Sequence, residues 1–446
     1  MIYTVRPGDT LKGIAIRLLG SEAAAATLFQ INRARIKSGS PLALSPGETI
    51  VVPDQMIAAS KRSATRAPRE STEVAVEVNG VEYVGWTTVT VVSSLESASA
   101  SFYLVVTDKW APGGESWPIF EGDRVRVYVG PDLLVDGYVD EVGYALDGST
   151  HAMSVAGRDR TADLIDCSAM NRPGTFSGKR VEEIARALAE PFGVEVVTDV
   201  DTGPPIAKFT LQPGERVHEA IARAAIAKNL IVTASSGGRL SITRSGTRRA
   251  TDAIVEGRNL KAGDATATGA DRFSEYVVEG QASGKGKPSM RATYRDPAVK
   301  RYRPLMLHSE QKATAEYLSH RAEFEARIRA ARARSASVVV TGWRQSSGEL
   351  WRVNRIVAVE APSLGLTEEL LVGEVALALA PNSGQTTTMR LVRPDAYVSA
   401  TELDAENDAM RAERKAKRKA KSRGVSQAEI DKERRELRGP IGRLKL

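Results

Sequence analysis

Tyr3-Thr4-Val5-Arg6-Pro7-Gly8-Asp9-Thr10-Leu11, continued by Ile14-Ala15 and Leu18-Leu19-Gly20, reads as a strand, a turn and the opening of a helix. Tyr3 and Val5 alternate with polar neighbours, and Pro7-Gly8 is a turn pair. Asp9 or Thr10 can cap the amides of a helix whose apolar face is Leu11, Ile14, Ala15 and Leu18, and Gly20 suits its C-terminus. Periodicity then predicts a second helix over about 23–32, a loop holding Pro41 and Pro46-Gly47, and a strand Thr49-Ile50-Val51-Val52 closed by Pro53.

This strand–helix–helix–strand order, with these residues, resembles a LysM module over residues 1–54. The resemblance implies a contact groove between the turn Gly8, Asp9, Thr10, Leu11 and the loop at Ile31 and Asn32. Such grooves usually take N-acetylglucosamine polymers such as peptidoglycan, and copies inside phage tails act as protein–protein adaptors; both partners stay open here.

The 446 residues allow two to four domains, and a hydrophobic fraction of 42% with 5% aromatics is ordinary for a globular chain. No apolar run approaches the ~18 residues needed to span a membrane, and the charged turn near the start is unlike a signal peptide, so neither membrane insertion nor ordinary export is expected. Cys167, the single cysteine, agrees with assembly in a reducing cytoplasm; beside Leu164 and Ile165 it reads as a buried small hydrophobe. Net charge is +7, of which the segment from Thr401 to Leu446 carries about +5, so the body is near neutral and a nucleic-acid-binding body is not expected.

Residues 55–71 are small, basic and aperiodic, a linker. From Thr72, Val74, Val76 and Val78 alternate, Asn79-Gly80 makes a two-residue hairpin turn, and Val81-Glu82-Tyr83-Val84 returns. Further strands at 87–92, 101–107, 123–129, 133–142 and 151–157 make an antiparallel block over 72–165. Residues 166–262 alternate helices, around Val181–Leu188 and Val217–Ala224, with short strands, a mixed α/β region. Strands resume over 263–398, interrupted by one helix at about 309–334 rich in Ala, Glu and Arg, and 399–446 form a charged basic tail. The fold class is therefore multidomain and mainly β with an α/β insert.

The ordered strings Gly85-Trp86, Leu95 to Phe102, Thr107-Asp108-Lys109-Trp110, Gly137-Tyr138-Val139-Asp140 and Gly157 to Ala169, followed by Gly342-Trp343 and Leu350-Trp351-Arg352-Val353-Asn354, resemble the baseplate hub family of Mu-like contractile phages over about 72–398. The resemblance implies two tube-like β-barrels flanking the mixed region, with Trp86, Phe102 and Trp110 in the first barrel's core or at a subunit seam. It implies a homotrimer that presents six nearly equivalent units around a channel and joins the six-fold tail tube to the three-fold central spike, in the virion tail baseplate, with genome DNA only as passing cargo.

Little in the sequence points to chemistry. His151, His218, His308 and His320 are scattered, no Cys-x-x-Cys or His-x-x-x-His spacing exists, and neither a phosphate-binding loop nor a nucleophile elbow is present, so no catalytic residue, metal or cofactor is expected. The different-class alternative is a peptidoglycan-binding lytic enzyme, for which Glu182-Glu183 and Glu323/Glu325 are the candidate acid pairs. In the tail, Arg414, Lys415, Lys417, Arg418, Lys419 and Lys421 form a cluster expected to dock on an acidic neighbour such as the spike, wedge, sheath or tape-measure protein, against the plainer reading of a solvated tail.

Overall fold

The computed structural model describes residues 1–41, 43–54, 56–57, 73–83, 85–107, 119–146, 151–226, 228, 230–281, 289–309 and 315–397. They divide into two compact units, Met1–Thr266 with Arg334–Pro394, and Ala267–Ala333 with residues from Asp395 on. Most of the linker, Trp110 and the whole basic tail lie outside the described residues.

In the first unit the N-terminal module comprises β1 (Ile2–Thr4), α1 (Leu11–Leu19), α2 (Ala24–Asn32) and β2 (Thr49–Val51), with β1 and β2 antiparallel. Thr10 is the N-cap of α1, its Oγ1 accepting from the Gly13 N–H at 3.1 Å, and Gly20 ends the helix in the left-handed region at φ 70°. Leu11, Ile14, Ala15 and Leu19 are the buried face of α1.

The first strand block holds β3 (Val74–Val78), β4 (Val81–Tyr83), β5 (Thr88–Ser94), β6 (Ser101–Thr107), β7 (Arg124–Val129), β8 (Asp132–Leu146) and β9 (His151–Asp159). The β3–β4 turn is Asn79-Gly80 with φ of 50° and 80°, the backbone that favours Asn-Gly in a two-residue hairpin. Trp86 and Phe102 are buried in the core. The mixed region follows with α3 (Ala162–Asp166), β10 (Thr175–Lys179), α4 (Val181–Ala189), β11 (Val196–Thr198), β12 (Ile206–Thr210), α5 (Val217–Ile226), β13 (Ile231–Ser235) and β14 (Arg239–Thr243). Its two small sheets, β10–β12 and β11–β14–β13, share a core with α4 and α5 through Ile184, Leu188, Ile221 and Leu240.

Beyond the mixed region come β15 (Arg248–Arg249), β16 (Ile254–Val255), β17 (Leu260–Ala267), β18 (Glu275–Gln281), β19 (Ser289–Arg295), β20 (Pro304–His308), α6 (Ala315–Arg332), β21 (Arg334–Thr341), β22 (Arg355–Ala361), β23 (Leu366–Ala380) and β24 (Gly384–Val392). The chain is mainly β with an α/β insert, as expected. The two strand-rich blocks, however, are one sheet: β23 hydrogen-bonds to β5 from Glu374↔Ser94 to Leu379↔Val89, giving a 14-stranded sheet ordered β17-β21-β24-β23-β5-β6-β9-β8-β7-β3-β4, with β22 on β23 and β15 and β16 on β22.

Two readings need correction. The strands expected at 275–280 and 290–294 in the second block are β18 and β19, which form with β20 a separate three-stranded sheet in the second unit. Tyr276 and Val278 project from β18 onto Tyr317, Leu318, Ala322 and Ala326 of α6, so the helix and these strands make their own core. Cys167 is exposed rather than buried, because it follows the last residue of α3 in extended backbone (φ −96°, ψ 148°), off the helix face that buries Leu164.

Candidate assembly interface

The two blocks repeat one arrangement. β8 lies between β7 and β9, β9 pairs with β6, and β6 with β5; likewise β23 lies between β22 and β24, β24 pairs with β21, and β21 with β17. β8 and β23 are both 15 residues long and both bulge near the middle, between Val139 and Glu141 and between Val372 and Glu374. Aligned at the bulge, Val139-Asp140-Glu141-Val142-Gly143-Tyr144-Ala145-Leu146 matches Val372-Gly373-Glu374-Val375-Ala376-Leu377-Ala378-Leu379, with Val, Glu, Val, Ala and Leu in common. Sequence reasoning missed this eight-residue signal, which only the shared bulge brings into register.

The repeat is complete in one block and open in the other. β23 uses its N-terminal half on β22 and its C-terminal half on β5, with β24 on the opposite side. β8 uses its N-terminal half on β7 and the other side on β9, but its Glu141–Leu146 stretch meets no second strand among the described residues. Leu377, covered in the β23 junction, is 5% exposed; its counterpart Tyr144 is 61% exposed, and Leu146 is 73% exposed. The strand that stands to the second block as β5 stands to the first is β17, and β17 ends the sheet with almost every residue exposed. Among the described residues these two edges are open, and they correspond to the two sides of a junction the unit already makes internally. The exposed Tyr144 and Leu146 make this an apolar edge of the kind that soluble proteins usually protect.

A second contact surface is already filled. The tip of the β3–β4 hairpin enters the N-terminal module: Asn79 Nδ2 donates to Thr27 Oγ1 and to Asp123 Oδ1, each at 2.7 Å, and Asn79 Oδ1 accepts from the Arg124 N–H at 3.2 Å. Ser21 Oγ donates to the Asn79 carbonyl at 2.7 Å. A Cβ on Gly80 would stand 2.2 Å from Ser21 Oγ, so the turn needs glycine for space as well as for its positive φ. Asn79, Thr27 and Asp123 are all buried, and burial raises the Asp123 carboxyl above the usual range against the opposing hydrogen bonds from Phe120 and Asn79. The module's core residues Leu11, Ile14, Leu28 and Ile50 belong to one hydrophobic cluster with first-block residues such as Val76, Val78 and Val81.

The six residues expected to line the module's groove separate into two sets. Gly8 and Thr10 are exposed, Asp9 and Ile31 half-buried, and Leu11 and Asn32 buried in the core. Asn32 clamps α2 to β2, its Nδ2 donating to Leu28 O and Val51 O at 2.8 Å and its Oδ1 accepting from Val51 N–H at 2.6 Å. Asp9 holds the turn, accepting from the Arg6 N–H at 2.8 Å, the Tyr3 hydroxyl at 2.7 Å and Arg17 Nη2 at 2.9 Å. These donors, the Arg6 N–H foremost, hold its pKa down at about 2. A depressed carboxylate adds stability above its unfolded value near 3.8 and loses it as pH falls through the folded one. A carboxyl chemical-shift titration should therefore place the Asp9 midpoint near 2, with the Tyr3–Asp9–Arg17 network intact at pH 4; a midpoint at the ordinary value would mean the network is not formed in solution.

Three of the four candidate acids have structural partners. Glu183 completes the N-terminal cap of α4, accepting from the Arg180 N–H at 2.8 Å, and Glu182 accepts from the Thr202 hydroxyl. Glu325 pairs with Arg321 at 2.8 Å and Arg329 at 3.5 Å along α6, while Glu323 is exposed. His218 is half-buried, which lowers its pKa, and no group of three metal-ligating side chains exists among the described residues. No single described helix is long and apolar enough to cross a membrane.

Family models match along most of the chain: the LysM domain over residues 3–53, the N-terminal domain of the Mu phage baseplate assembly protein GpP-like family over 73–159, the second domain of the baseplate hub protein gp44-like family over 161–244, and the fourth domain of the Mu phage GpP family over 314–400. The baseplate hub protein gp44 of Escherichia phage Mu is 33% identical over 351 residues, 76% of this chain and 92% of that protein. Among solved structures, the 43 kDa tail protein of prophage MuSo2 from Shewanella oneidensis is 32% identical with a TM-score of 0.66, covering 73% of this chain and 99% of that one. A tail protein from Neisseria meningitidis MC58 shares the fold at 21% identity and a TM-score of 0.61, covering 73% of this chain and 98% of that one. The chain belongs to the Mu-like baseplate hub protein family, and it carries a LysM domain at its N-terminus.

Proposed function

We propose that three copies assemble head to tail, β17 of each adding antiparallel to Glu141–Leu146 of the next, and that the ring so formed is the hub joining a six-fold tail tube to a three-fold central spike. The observation that carries this is the β5–β23 junction within the chain, whose two sides recur as the open edges β17 and Glu141–Leu146. Repeating that one junction between chains buries both edges and places six similar blocks around an axis in three copies. A heterologous interface of this kind closes into a ring when its rotation divides the circle, which satisfies a three-fold partner on one face and a six-fold partner on the other. The role is mechanical: the ring holds tube and spike coaxial and leaves a channel for DNA.

In this reading the LysM domain is a fixture clamped on the β3–β4 turn, offering the exposed Gly8 and Thr10 to a neighbouring protein or glycan, and the basic cluster from Arg414 to Lys421 contacts an acidic tail component. Light scattering of the purified full chain is expected to give three times its 48.0 kDa mass. A 48.0 kDa species at every concentration tested, together with a single copy per assembled tail, overturns the proposal.

A further inference from the structure

A cavity of about 620 Å³ is walled by β5, β23, the turn into β8, the β13–β14 hairpin and the loop that leads into β22. Four guanidiniums line it, from Arg239, Arg248, Arg352 and Arg355, against the two carboxylates of Asp132 and Asp199. The carboxylates are already engaged, Asp132 with Arg344 at 2.8 Å and Arg352 at 3.3 Å, and Asp199 with Arg248 at 3.8 Å. Arg239 Nε donates to Ser236 O at 3.2 Å. The Arg355 guanidinium makes no hydrogen bond or ion pair with any described residue, although the side chain is half-buried.

The backbone makes this worse. Arg248 and Arg355 are register partners in the parallel pairing of β15 with β22, so two like charges stand side by side where sheets normally place opposite ones. Burial, with Arg248 and Arg352 nearby, pushes the Arg355 pKa below the ordinary arginine value. A guanidinium does not release its proton in proteins, so the cation persists; Glu349 and Asp199 offset part of it without forming an ion pair, and an oxyanion in contact is its natural counterpart.

We propose that this cavity is a receptor for an acidic peptide segment of a partner protein, one carboxylate of which is taken by the Arg355 fork. The volume is that of a site for several side chains, within the ~300–1,000 Å³ of ordinary ligand sites, and far exceeds one free anion. Two cations in excess of two carboxylates suit a pair of acidic side chains, and Leu133, Leu350 and Trp351 supply apolar wall for the peptide's remainder.

The test is fluorescence anisotropy with a fluorescein-labelled tetraglutamate peptide on the full chain, in a background where Arg414, Lys415, Lys417, Arg418, Lys419 and Lys421 are Gln so that the tail does not compete. Saturable binding that weakens with salt is expected, with Arg355→Gln weakening it about tenfold or more and Arg355→Lys, which keeps charge but loses the fork, falling between. Without peptide, Arg355→Gln should unfold at a higher temperature than the parent, because it relieves like-charge repulsion; that readout shows the variant is folded. Absence of binding at low salt, binding unchanged in Arg355→Gln, or inorganic phosphate binding as tightly as the peptide each overturns the proposal.

Discussion

Tyr144→Asp combined with Leu146→Asp is expected to convert the assembled hub into monomers while leaving the unfolding of the chain itself almost unchanged. Both side chains are exposed in the isolated unit, and surface substitutions of this kind usually move stability by no more than about 0.5 kcal/mol. In the assembly they would lie under β17 of the next copy, where burying each apolar side chain is worth about 1.5–3 kcal/mol and a buried unpaired carboxylate costs more. A loss of about 4 kcal/mol per junction weakens association roughly a thousandfold. The control is Leu377→Asp, at the same place in the repeat but already buried in the β5–β23 junction, which should lower the thermal midpoint of the chain itself. Mass by light scattering and a thermal melt of each variant decide the matter: trimers that persist in the double aspartate variant would remove Glu141–Leu146 from the interface.

The second large effect is expected at the seam with the LysM domain. Asn79→Ala leaves the Thr27 hydroxyl, the Asp123 carboxylate and the Arg124 N–H without their partner in a buried site, at about 1–3 kcal/mol for each unsatisfied group, and puts an alanine at φ 50° at a further ~1 kcal/mol. The low end of that sum, about 4 kcal/mol, is already enough to release the module. Asn79→Gly, which keeps the positive φ but loses the amide, should be the milder of the two. Gly80→Val should release the module as well, through its clash with Ser21. Amide exchange reads the result: protection in the module at Ile14, Leu19 and Leu28 should fall while the β6–β9 strands stay protected. Unchanged protection in Asn79→Ala would show that the shared core alone holds the module, with the polar seam contributing little.

The parts legible in the sequence are those whose cause is local. Thr10, Gly20 and the Leu11–Ile14–Ala15 face define α1 within ten residues of one another, and Asn79-Gly80 defines a hairpin because few other pairs accept positive φ at both positions. The candidate groove was legible only in part. Spacing puts Asn32 next to Ile31 at the end of α2, but whether its amide faces a ligand or β2 depends on where Val51 lies, and Val51 takes it. The exposure of Cys167 has a similar cause: apolar neighbours in sequence do not say on which side of a helix end the next residue emerges.

Residue pattern alone carries the alternation that makes the chain mainly β, the four elements of the N-terminal module, and the resemblance that gives the family. Apart from the β3–β4 hairpin, which strands meet follows only from the folded chain. Strand periodicity states which face of a strand is apolar but not which partner covers its edge, because edge hydrogen bonds are made by backbone groups common to every residue. Thus β5 meets β23, far along the chain, β18 and β19 leave the large sheet for α6, and the eight-residue match between β8 and β23 becomes visible only once the two bulges are superposed. The edges that Glu141–Leu146 and β17 leave open among the described residues are a property of that pairing, which no local pattern encodes.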